Sequence, residues 1–184
     1  MLEMYKKFRD MTGMLRDLPP LGMRLILAYG FMGPAMMKLQ NFDGIVMWFS
    51  SLGIPLPWIN AVLATATETA GFVLIFLGLG TRLIAVPMIG VMVVAILTVH
   101  LDGGWLAIAS SEAPGIAERL GAAREILKEY GNYQWLTEKG SFVILQNGME
   151  FPVTYIVMLL SLIVTGPGRI SLDYFIGKKM GLEE

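Results

Sequence analysis

The sequence predicts an all-α integral membrane protein, a four-transmembrane-helix bundle with an N-terminal amphipathic helix and a helix/hairpin cap. Three observations predict it. Four long apolar blocks punctuate the chain, and 55% of its 184 residues are hydrophobic against 16% charged. A soluble domain sits nearer about 25% charged. The remaining residues gather in a short amphipathic start and one sizeable polar stretch.

Residues 1–18 place Met4, Phe8, Met11, Leu15 and Leu18 at spacings of four and three, with Lys6, Lys7, Arg9, Arg16 and Asp17 on the other face. That pattern predicts a helix lying on a membrane surface. Spans follow at about 20–38, 57–80, 82–101 and 146–166, each close to the roughly 20 residues that cross a bilayer. The first block lacks a short apolar region ending in a small-residue cleavage site, so it is read as an uncleaved span.

Between the first two spans, Ile45–Phe49 is apolar but too short to cross, which predicts a partly buried interfacial half-helix with Trp48 near headgroup depth. Pro55 and Pro57 end it and start the second span. The outer cap, 102–145, repeats Ile116, Leu120, Ala123, Leu127 and Tyr130 at helical spacing up to Gly131. Tyr133–Leu136 and Ser141–Leu145 then flank Thr137–Gly140 as a hairpin. No linker or repeat divides the chain, so residues 1–184 form a single membrane domain.

With the N-terminus inside, nine of the fourteen basic residues fall on inner flanks, namely Lys6, Lys7, Arg9, Arg16, Arg24, Arg82, Arg169, Lys178 and Lys179. Both termini are therefore expected in the cytoplasm and the cap in the periplasm of a bacterial inner membrane. The 14 basic residues against 15 acidic leave no cationic excess for nucleic acid. The absence of cysteine excludes disulfides, thiolate nucleophiles and iron–sulfur clusters within this chain, and a single histidine excludes a two-histidine metal site within it. The metal ligands, if any, are unassigned.

Ionisable residues inside spans are functional candidates because each costs roughly 2.5–3.5 kcal/mol to insert. Glu68 lies eleven residues past Pro57, roughly 16 Å deep at about 1.5 Å per residue. Its helical neighbours Ala64, Thr65 and Gly71 are small and favour close helix packing. Chain direction brings Lys38, His100, Asn147 and Glu150 to the outer mouth, with Glu68 below. A structural alternative is a Glu150–Lys38 or Glu150–His100 pair that only holds helices in register. Met32 with Met36, and Met88 with Met92, share helix faces, a soft-ligand arrangement suited to copper but also ordinary apolar filling.

The chain resembles the DoxX-type small membrane proteins. The resemblance rests on Arg24 to Lys38, Gly53-Ile54-Pro55-Leu56-Pro57, Glu68-x-x-Gly71, Gly78-Leu79-Gly80-Thr81-Arg82, Gly148-Met149-Glu150 with Tyr155, and the closing Gly166-Pro167-Gly168-Arg169-Ile170-Ser171-Leu172-Asp173. The long insert His100–Leu145 is similar to the branch often encoded beside genes for small copper-responsive modified peptides. The resemblance implies an inner-membrane oxidoreductase component, one branch being the small subunit of a thiosulfate–quinone oxidoreductase. Glu68, His100 and Glu150 match polar positions of that family pattern and are the expected catalytic residues, with cofactor contacts expected from Lys38, Asn147 and Arg82.

Three functions follow as expectations. The first is a quinone-linked oxidoreductase subunit with its site at the outer mouth, electrons passing through a bound quinone or a partner. The second is a non-enzymatic accessory protein that binds or passes on a copper-binding peptide or small solute. The third is a small proton-coupled transporter using Glu68. Expected partners are the lipid bilayer, a protein or peptide at the periplasmic cap, and a second copy of the chain.

Overall fold

The structure is a computed structural model that describes residues 1–181. Its chain divides into two compact units, Met1–Val94 with the residues from Thr154 onward, and Ala95–Val153. Among the described residues there is no β-strand, only an isolated bridge between Ile108 and Leu145.

In the first unit, α1 (Leu2–Gly13) has no buried residue, and Met4, Phe8 and Met11 are exposed along its apolar face. Helix α2 (Leu18–Gln40) starts at Pro19 and Pro20, where a missing N–H costs nothing. Helix α3 (Phe42–Ser51) is the expected half-helix: Ile45 and Phe49 are buried against Ala61 while Trp48 stays exposed. Helix α4 runs Pro57–Leu77 and ends at Gly78, whose left-handed φ of 66° suits glycine. Helix α5 (Thr81–Ala95) begins three residues later.

Leu27, Phe31, Ile75, Ala85, Met88, Leu159 and Leu162 form the core of this unit. Close approach depends on small residues. A Cβ on Gly71 would fall 2.7 Å from Met88 Sδ, and one on Gly30 would fall 2.5 Å from Tyr155 Oη. Tyr155 also packs on Phe31, with ring centroids 5.8 Å apart. Met88 is thus core filling, not an exposed ligand.

Two helical segments, Pro57–Leu77 and Thr81–His100, are long and apolar enough to cross a membrane, and Glu150–Thr165 is a shorter apolar helix. Leu83, Val86, Val157 and Val164 point outward. In water such exposure would be costly, whereas lipid is a good solvent for it.

The second unit opens with a π-helical turn, Ile96–His100, which continues from Ala95. Helix α6 (Pro114–Tyr130) stops at Gly131, as its spacing predicts. The hairpin does not form. Instead Tyr133–Thr137 is a short helix, α7, whose N-cap Asn132 accepts the Trp135 N–H at 3.3 Å. The Asn132 cap is a local contact that favours helix over strand in this segment.

Helix α8 (Glu150–Thr165) begins four residues after the expected start of the fourth span. Asn147 has φ 57°, and residues 146–150 donate their N–H groups to carbonyls of Gly104–Ala107. A Cβ at Gly148 would fall 2.5 Å from Leu106 O, so the two backbones meet only because glycine is there. Back in the first unit, α9 (Leu172–Met180) follows Ser171, which caps it by accepting the Tyr174 N–H at 3.2 Å.

Candidate functional site

Lys38 sits in the last turn of α2 and Glu68 in the middle of α4. Lys38 Nζ donates to Glu68 Oε2 at 2.7 Å, with both side chains buried. Sequence reasoning placed both residues at the site but offered Glu150 as the partner of Lys38; the partner found is Glu68. An ion pair withdrawn from water gains Coulomb energy only with close geometry, which this contact has.

Thr65 and Thr69 flank Glu68 on the same helix, one turn apart from each other. Their Oγ1 atoms are buried and have no hydrogen-bond partner. A buried hydroxyl without a partner costs about 1–3 kcal/mol, so two together call for an explanation. Both line an apolar groove of about 690 Å³ with Leu39, Phe42, Val62 and Val73. Neither Lys38 nor Glu68 is among the residues that line it, although their chain neighbours Leu39 and Thr69 are. The readable signal is the cluster Thr65, Thr67, Glu68 and Thr69 in a mainly apolar helix, of which the sequence reading singles out neither Thr67 nor Thr69.

Arg24 has a different task. It is buried, its Nε donates to Ile75 O at 2.8 Å and Nη2 to Phe76 O at 2.6 Å, while Nη1 donates to Pro167 O and Ile170 O at 3.2 and 2.6 Å. Its planar fork thus adds hydrogen bonds to carbonyls in the last turn of α4, where Ile75 O also accepts the Gly78 N–H. Asp173 does the converse for α5, accepting the Gly80 N–H at 2.7 Å and the Thr81 N–H at 3.0 Å. These two contacts explain why the segment 166–173 sits where it does.

Within the second unit, His100 Nδ1 lies 2.8 Å from Asn147 O, so these two predicted residues do meet, although through the Asn147 backbone. Glu150 Oε2 accepts the Ala107 N–H at 3.1 Å. Glu150 therefore helps fasten the start of its helix to segment 104–107. Arg82 is exposed in the first unit, near Gly166. No group of three or more His, Asp or Glu suited to a metal occurs among the described residues.

Comparison with known proteins locates the family signal. The DoxX family model matches residues 20–101. That stretch contains Arg24, Lys38, Glu68, Arg82 and His100. The chain is 42% identical over 52 residues to "Inner membrane protein YphA" of Escherichia coli (strain K12), covering 28% of this chain and 37% of that protein. It is 33% identical over 84 residues to "Putative oxidoreductase CatD" of Bacillus subtilis (strain 168), covering 46% of this chain and 61% of that protein. The chain thus spans less than two thirds of either relative. No solved structure matches it.

Proposed function

We propose that this chain is a DoxX-type protein of a bacterial inner membrane, acting as a quinone-linked oxidoreductase subunit. In this reading α2, α4, α5 with its π turn, and α8 are four spans, the termini are cytoplasmic and residues 102–145 form a periplasmic cap. The observation that carries the reading is the apolar groove lined by Thr65 and Thr69, whose buried hydroxyls are unpaired, on the helix that carries Glu68.

The residues fit an isoprenoid quinone. The tail would occupy apolar surface open to lipid, and rotation about χ1 would turn the buried Thr65 and Thr69 hydroxyls, which the protein itself leaves unsatisfied, toward the ring carbonyls. A quinone supplies two-electron chemistry coupled to proton transfer. The chain's part is to bind the ring, exclude water and hold a proton between Lys38 Nζ and Glu68 Oε2, where a short hydrogen bond lets either group pass it on. With no cysteine and one histidine, electrons reach the site from a partner protein.

Titration of detergent-purified protein with decylubiquinone, read by tryptophan fluorescence, tests this. Thr65→Val with Thr69→Val should weaken binding about tenfold, as expected for two modest hydrogen bonds. The same variant should be at least as heat-stable as the parent, because it removes two unsatisfied polar groups. Unchanged affinity in the double variant would contradict the assignment.

A further inference from the structure

The first unit holds a second cavity, distinct from the groove, that the oxidoreductase reading does not use. It has a volume of about 680 Å³ and is walled by the junction between α4 and α5, the loop before α9 and the start of α2. Three arginines line it, Arg16, Arg82 and Arg169, against two acids, Asp17 and Asp173.

Both acids are engaged elsewhere. Asp173 takes the Gly80 and Thr81 N–H groups. Asp17 Oδ1 accepts the Arg169 N–H at 2.9 Å, and its Oδ2 lies 3.9 Å from Arg16 Nε. Among the described residues, the guanidinium groups of Arg82 and Arg169 are in no salt bridge. The Arg82 guanidinium lies close over Gly166, since a Cβ there would fall 3.2 Å from Nη2. The cavity therefore presents two uncommitted forks with one positive charge in excess.

Its position identifies the ligand. Gly78-Leu79-Gly80 joins two helices each long and apolar enough to cross a membrane, so this turn belongs at a membrane–water boundary. Leu83, which lines the cavity, and Ile170, next in the chain to Arg169, are both exposed and offer an apolar rim. We propose that this cavity binds the phosphate of an anionic phospholipid, with Arg82 and Arg169 clamping the headgroup and Leu83 and Ile170 meeting the acyl chains. Guanidinium forks match phosphate oxygens, and basic pockets between membrane helices suit anionic headgroups. A phosphate free in solution would gain nothing from the apolar rim.

The test is native mass spectrometry of the detergent-solubilised full chain, titrated with phosphatidylglycerol, with phosphatidylcholine and inorganic phosphate as comparisons. Phosphatidylglycerol should be retained in preference to phosphatidylcholine, and inorganic phosphate should not displace it. Arg82→Gln with Arg169→Gln should weaken retention about 30-fold, whereas Arg119→Gln with Arg124→Gln, an equal charge loss in the cap, should leave it unchanged. Circular dichroism checks folding, and if the double variant does not fold, Arg169→Gln alone should still weaken retention about fivefold. Equal retention of the two lipids, unchanged retention in the arginine variants, or displacement by inorganic phosphate would overturn the proposal.

Discussion

At the residue scale, the Lys38–Glu68 contact makes each side chain depend on the other. Removing one charge strands its partner where water is scarce, which typically costs about 3–5 kcal/mol, whereas replacing both with apolar groups of similar size is often close to neutral. Glu68→Leu and Lys38→Met should each lower stability by about that much, and the double variant should recover most of the loss. Thermal unfolding in detergent measures this cycle, and additive losses would mean that the two groups are energetically independent. Sequence alone marked both residues, because a charge inside an apolar helix is conspicuous. It could not pair them, because helix rotation sets whether Lys38 faces α4, and that rotation follows from contacts such as Gly30 of α2 with Tyr155 that no local pattern displays.

At the element scale, the segment after α8 fastens the junction of α4 and α5 from two directions. Arg24 and Asp173 satisfy opposite helix ends, and neither role follows from periodicity. Asp173→Ala should expose the Gly80 and Thr81 N–H groups and cost about 1–2 kcal/mol, in the range of a lost N-cap. Thermal unfolding checks it, and a change smaller than a few tenths would show that the cap is dispensable. Helix α6 was legible to its last residue and α3 by its apolar run, whereas the amphipathic helix expected over residues 1–18 stops at Gly13. The errors have two causes, tertiary contact that overrules local pattern and a local cap that overrules the expected pairing. Residues 146–149 read as helix but pair their N–H groups with segment 104–107, and the expected hairpin gave way to the Asn132-capped α7. The π turn at Ile96–His100 leaves no signature in apolar composition.

At the scale of the whole molecule, the proposed topology puts the cap in the periplasm and both termini in the cytoplasm. The natural absence of cysteine permits single reporters without background. Lys128→Cys should react with a membrane-impermeant maleimide added outside spheroplasts, while Lys178→Cys should react only after permeabilisation; the reverse pattern would invert the orientation. The central claim remains that the groove lined by Thr65 and Thr69 holds a quinone. Its most direct test is to quantify isoprenoid quinone by mass spectrometry in protein extracted gently from native membranes. The account predicts close to one quinone per chain in the parent and a strong reduction in the Thr65→Val, Thr69→Val variant. Quinone at background level in the parent, or equal occupancy in both, would contradict it.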